Sequence, residues 1–303
     1  MSARAPFFVY IRPVVISYNV AILSRRRLLV LLSTAILFAA AIWVLNEALP
    51  YRNVWKGFIT EEDIGTYFCE KTFMDRIVRQ PVNTFSNFIY WMSALAILSR
   101  GWKDQRRRKN AYNIISANPF YSITYGVILF YTFCASTFFH SSLIHVASRL
   151  DFSAVYSLAL FPLMYFTHRM WLLAIGVPSN KRHRKSTITV IVVFSILYFL
   201  FTFGVPAGWD DYVVLGLIIM LIILGTIMEY VDRGKTNTRY LLVCVACILI
   251  AVVWFAFDTR KILCDPESLI QPHSLWHLFA GSATFYFYLY IRSEHLELKT
   301  SNA

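Results

Sequence analysis

The sequence predicts an all-α membrane protein, and three observations predict it. Of its 303 residues 57% are hydrophobic and only 15% are charged, where a soluble domain carries about 25% charged residues. Mean hydropathy is +0.53. Apolar runs near the length of about 20 residues that crosses a bilayer recur along the chain, and the basic residues sit in short clusters between them. A soluble bundle would need each of these helices to be apolar all round, which only a lipid solvent accounts for.

The runs are Leu28–Leu49, Asn83–Ile97, Tyr121–Ser142, Leu150–Met170, Ser186–Gly204, Tyr212–Val231, Tyr240–Phe257 and His273–Ile291. The second is short because it meets Arg100. The first is longer than the apolar core of a signal peptide and begins after 27 residues. It reads as a retained anchor, although Ala39–Ala41 mimics a cleavage site. This divides the chain into an N-terminal segment 1–27, a first helix 28–49, a loop 50–82, a helical domain 83–292 and a tail 293–303.

Charge sets the orientation. With the N-terminus cytoplasmic and every run crossing, 21 of the 29 Lys and Arg fall on the cytoplasmic side, while 12 of the 17 Asp and Glu fall outside. That satisfies the positive-inside rule, with only Thr60–Gln80 mixed. Both termini are then cytoplasmic. The net charge of +12 belongs to loop clusters such as Arg25–Arg27, Arg106–Lys109 and Lys181–Lys185, not to one amphipathic face, so nucleic-acid binding is set aside. The compartment reads as endomembrane in a eukaryote or inner membrane in a bacterium.

Polar residues at the ends of apolar runs are costly and point to function. Ser136 and His140 are four apart at the outer end of the third run and share one helical face. Asp151 follows a short turn and opens the fourth run. His273 and His277, also four apart, open the last run. Asn83, Ser86 and Asn87 open the second, with Asn83 placed as a helix N-cap. The histidines played no part in setting the orientation, yet His140, His273 and His277 fall at one membrane face. His168 and His183 fall at the other, near basic loops, and read as ordinary loop residues. Three neutral imidazoles at one level match a three-histidine catalytic zinc site with a fourth position for water. Singly, each residue has a plainer reading: a wet interfacial histidine, a packing serine, an acid favoured by a helix dipole. Cys134, Cys244 and Cys247 lie in apolar runs and read as packing residues.

Several segments together resemble the alkaline ceramidase family, part of a wider group of seven-helix membrane hydrolases that includes the adiponectin-receptor-like proteins. They are FCEK at Phe68–Lys71, NTFSN at Asn83–Asn87, STFFHSSLIHVASRLD at Ser136–Asp151, WFAFDTRKILC at Trp254–Cys264 and HSLWHLFAG at His273–Gly281. The resemblance implies a seven-transmembrane-helix bundle, with Leu28–Leu49 as one extra N-terminal helix. It implies Zn2+ held by His140, His273 and His277, with Ser136 steadying the oxyanion or bound water and Asp151 transferring protons. It implies hydrolysis of the amide bond of a ceramide-like sphingolipid, entering sideways from the bilayer, to a fatty acid and a sphingoid base. It also implies a Cys69–Cys264 disulfide. Other readings stay open: a zinc membrane hydrolase of another acylated lipid, or a non-catalytic receptor-like zinc protein. The chain departs from animal-type members around the CE motif. Glu70 remains, but Tyr67, Phe68, Thr72 and Gln80 make a poor oxygen set for calcium, so no calcium site of that type is expected.

Overall fold

Residues 25–48, 54–59, 67–106, 113–177, 182–206, 208–231 and 236–294 are described by a computed structural model. They form α1 (Arg25–Ala48), α2 (Pro81–Ser86), α3 (Phe88–Arg106), α4 (Ile114–Ala117), α5 (Phe120–Ser142), α6 (His145–Ala174), α7 (Arg184–Gly204), α8 (Asp210–Val231), α9 (Thr238–Thr259) and α10 (Pro272–Arg292). No strand occurs among the described residues. The predicted N-terminal segment and tail lie almost wholly outside them, as does part of the loop 50–82.

Among the described residues, five helices, α5 to α9, are long and apolar enough to cross a membrane. The most apolar are the least enclosed: α7, α8 and α9 reach mean hydropathies of 2.2, 2.4 and 2.8, whereas α5 and α6, each half buried, stand at 1.4 and 1.3. In lipid, apolarity belongs on the outside, and the polar side chains of the inner helices are satisfied within the bundle.

Helix boundaries differ from expectation at three places, each with a physical reason. The second run was expected to stop at Ile97, but α3 continues to Arg106. Its charged end is stabilised by Asp104, which accepts a two-pronged pair from Arg292 at 2.5 and 2.9 Å. Asn83 does not cap its helix. The helix starts at Pro81, with proline in the first turn, and the N–H groups of Val82 and Asn83 donate to the Glu70 carboxylate at 2.7 and 2.8 Å. An acid from outside the helix thus does the work of a cap. Asp151 does not open its helix either. Leu143, in the left-handed conformation (φ 50°), ends α5, and α6 starts at His145, so Asp151 lies in the second turn.

Close approach on both sides of α3 brings the histidine-bearing helices together. A Cβ on Gly126 of α5 would stand 2.5 Å from Leu98, and one on Gly281 of α10 would stand 2.4 Å from Ile89. Small residues at such crossings are how membrane helices gain packing. Gly281 lies one turn beyond His277. Inside, Tyr125 stacks on Phe161 with ring centroids 4.3 Å apart. α1 leans on this bundle through Phe38, whose ring meets Phe88 at 5.4 Å.

At the far end of α10 from His273, about 30 Å away by helical rise, buried charges are paired. Arg169 meets Glu294 at 2.5 Å, and the half-buried Glu229 accepts the Tyr290 hydroxyl at 3.0 Å. His168, expected to be a loop residue, is instead buried in α6, bonded to the Tyr121 hydroxyl and to Ser186 Oγ at 2.8 Å.

Gly281→Ala should lower thermal stability by about 1–3 kcal/mol, because the stiff, branched Ile89 cannot yield the space. Gly216→Ala, with nothing within 4 Å, should be neutral or slightly stabilising. Equal melting temperatures for the two variants in detergent would refute this packing account.

Candidate metal centre

His140 hangs from the last turn of α5, and His273 and His277 from the first turns of α10. All three are buried, at 0, 6 and 3% exposure. Each offers one ring nitrogen to a group in which all the ligand atoms lie within 4.8 Å of one another. Among the described residues this is the one group of three or more His, Cys, Asp and Glu side chains that could hold a metal ion.

The opposite ring nitrogens face protein partners, which fixes which nitrogens turn inward. His140 Nδ1 lies 2.9 Å from Gln80 Oε1, so it donates there. That leaves Nε2 buried with no partner. His277 Nδ1 lies 2.7 Å from Ser86 Oγ. The serine hydroxyl donates to Asn83 O at 2.7 Å, so its oxygen accepts from the histidine. His273 Nδ1 faces Asp258 Oδ2 at 3.3 Å, within ion-pair distance though off hydrogen-bond geometry. A buried imidazole nitrogen with no partner is what the donor set of a bound cation looks like before the ion is added.

The predicted site residues come together unevenly. Ser136, one turn before His140, is buried, and its side chain lies beside the Asp151 carboxylate. Both line a cavity of about 620 Å³ with His273 and His277. Asn83 and Asn87 are buried: Asn87 Nδ2 donates to Asn83 O at 3.1 Å at the α2–α3 junction, and Asn83 Nδ2 donates to Gln80 Oε1 at 3.4 Å. The cavity is polar at the histidine end and runs between α6, α8, α9 and α10 to Phe166, Gly225, Leu241 and Phe287. Its volume lies in the range of ligand sites, about 300–1,000 Å³. α9 packs closely on α10 and α8 on α6, but α8 and α9 barely touch.

Sequence reasoning passed over the orienting partners. Gln80 figured only as a weak calcium ligand and Asp258 only as part of a motif. The signal for Asp258 was present, since it is an acid at the outer end of an apolar run, level with the histidines. The residues around the CE motif are engaged with one another. Gln80 Nε2 donates to Thr72 Oγ1 at 3.3 Å, and the Tyr67 hydroxyl donates to Asp211 at 2.8 Å. Phe68 packs its ring edge on His273 at 4.5 Å and on His140 at 5.0 Å. Cys69 and Cys264 form a disulfide. Burial raises the Glu70 carboxyl from 4.5 to about 7, against the opposing pull of the two N–H groups that it accepts.

The family model for Ceramidase matches residues 65–303. No curated protein and no solved structure matches the chain.

The raised Glu70 value has a direction in pH. A carboxyl whose folded value exceeds its unfolded one stabilises fully below the unfolded value and loses that contribution as pH rises through the folded one. This contribution therefore fades between about pH 4.5 and about 7. Glu70→Gln should flatten the fall in melting temperature across that window relative to the unsubstituted protein. Parallel curves would show that Glu70 does not titrate there.

Proposed function

The chain belongs to the ceramidase family, and from that premise we propose that it is a zinc-dependent hydrolase of the amide bond in ceramide-like sphingolipids. The observation that carries this reading is the placement of three buried imidazoles beside the Ser136–Asp151 pair, at the polar end of a long apolar cavity. The residues fit a metal. Three histidines with inward nitrogens are a common zinc donor set, and His140 Nε2 has no other partner. A zinc ion there would lower the pKa of a bound water to about 7 and polarise a carbonyl.

The chain's own groups divide the remaining work. The apolar depth of the cavity holds the hydrocarbon of the substrate and leaves its amide at the histidine end. Ser136 stands where its hydroxyl can donate to the amide oxygen as negative charge grows on it. Asp151 accepts the proton released as water attacks and returns it to the leaving nitrogen. Water and amide become a fatty acid and a free sphingoid base. The slack seam between α8 and α9 supports lateral entry of lipid from the bilayer.

The donor set favours catalysis over a structural site. Asp151 is not in the three-histidine group and lies beside Ser136, so it is left to move a proton. A closed site would use it as the fourth ligand.

In this reading α3 and α5 to α10 are the seven crossings of the domain 83–292, and α1 is the additional one. The termini are cytoplasmic, and the histidines lie at the outer face with the disulfide, where oxidising conditions preserve it. A calcium site of the animal type forms no part of this reading: Glu70 accepts the N–H groups of Val82 and Asn83, and Thr72 accepts from Gln80.

His273→Ala should abolish release of sphingoid base from ceramide by the protein purified in detergent, and should lower its zinc content, with helicity retained. Turnover by a folded, zinc-free variant would reject the reading. Gly225→Leu, which fills the deep end of the cavity, should shift preference towards shorter acyl or base chains. An unchanged chain-length profile would remove the cavity from the substrate's path.

A further inference from the structure

The three histidines lie on two helices, yet their orienting partners trace back to one short stretch of chain. Gln80 and Ser86, which face His140 and His277, sit eleven and seventeen residues after Cys69. Asp258, which faces His273, has its other oxygen held at 2.8 Å by the backbone N–H of Cys69 itself. We infer that the segment from Cys69 to Ser86 positions the whole metal centre, and that the Cys69–Cys264 disulfide acts on the metal through Asp258 and His273. The inference rests on the metal reading above.

The segment is fastened on both sides of the site. On the α5 side, the N–H groups of Arg79 and Gln80 donate to the carbonyls of Ser141 and His140 at 3.0 and 3.1 Å. The buried Arg79 side chain adds a bond to Ser142 O at 2.6 Å. On the α10 side, the Lys71 N–H donates to Pro266 O at 3.1 Å, two residues beyond the disulfide. Gln271, just before α10, ties that same loop down by donating to the carbonyls of Asp265 at 2.9 Å and Ser268 at 2.7 Å. Between these anchors Glu70 fixes the start of α2 and hence the approach of Ser86.

The disulfide is therefore more than a staple between distant parts of the chain. It holds the peptide whose N–H orients the Asp258 carboxylate. Without it, Asp258 can turn from His273 while Gln80 and Ser86 keep their places. Asp258 and the disulfide then act on one ligand in series, and Gln80 acts on another in parallel. Outer partners of metal ligands contribute about 10- to 100-fold in affinity.

The test is a set of zinc affinities, measured on the full-length apoprotein in detergent by competition with a chelator of known affinity at fixed pH. Asp258→Asn and the paired Cys69→Ser/Cys264→Ser change should each weaken zinc binding by about 10- to 100-fold. All three substitutions together should weaken it hardly more than the stronger of the two. Gln80→Leu added to either should multiply the loss. Lys71→Ala, which removes the exposed pair with Glu267 on the same segment, should leave affinity unchanged. Losses from Asp258→Asn and the cysteine pair that multiply fully, or an unaltered affinity in a folded Asp258→Asn protein, would overturn the inference. If the doubly substituted Cys69→Ser/Cys264→Ser chain does not fold, the Asp258→Asn and Gln80→Leu affinities still decide the positioning role. An unsubstituted protein that binds no zinc would instead overturn the metal reading, and this inference with it.

Discussion

A neutral imidazole carries one N–H and one lone pair, and burial leaves both to be satisfied. Three imidazoles buried side by side set that requirement three times over. In each, Nδ1 faces a protein oxygen, on Gln80, Ser86 or Asp258. The rest of the outer architecture answers to this demand. Gln80 reaches His140 only because its segment crosses the end of α5 on backbone bonds to His140 and Ser141. Ser86 reaches His277 only because α2 starts where Glu70 gathers its free N–H groups. α10 comes within reach only because Gly281 has no Cβ to strike Ile89.

The two ends of the bundle treat buried polarity differently. At the end remote from the histidines, charges that would be costly in lipid are closed off in pairs, Arg292 with Asp104 and Arg169 with Glu294. His168 likewise has both ring nitrogens bonded, one to Tyr121 and one to Ser186. At the other end the same residue type is left one bond short, as His140 Nε2 is. Histidine alone does not mark a site; what separates His168 from His140 is the count of satisfied nitrogens.

That difference explains what could be read from the sequence. Hydrophobic run length located the long helices other than α3 to within about five residues at each end. Spacing of four put Ser136 with His140 and His273 with His277, because helical geometry is local. The three histidines that charge put at one membrane face without using them come together in one group. The errors arose where a long-range partner overrode a local signal. Asn83 looks like a cap until Glu70, thirteen residues earlier, supplies the acceptors. His168 looks like a loop residue until Tyr121 and Ser186 bury it. α3 outruns its apolar stretch because Arg292, on the last helix, steadies Asp104. Gln80 has no local pattern that announces an orienting role, since it is defined by a histidine 60 residues away; Asp258 stands out as an acid at the end of an apolar run, but its partner lies 15 residues on.

The distribution of hydropathy bears on how such a site works. An enzyme that hydrolyses a membrane lipid needs water at its reacting atoms and hydrocarbon around the rest of the substrate. A helix that carries the chemistry must turn polar side chains inward, and α5 and α6, which hold Ser136, His140 and Asp151, are the least apolar of the five clear spans. A helix that admits lipid must be at home in it and loosely held by its neighbour. α8 and α9 are the two most apolar spans, and they barely meet. The cavity lies between these two classes of helix, with its polar end under the disulfide-anchored segment and its apolar end deep in the bundle. Tightening the α8–α9 seam with larger side chains would improve packing, and on the proposed reading it would also shut out the substrate. A loose contact is therefore the arrangement that selection for lipid turnover would keep.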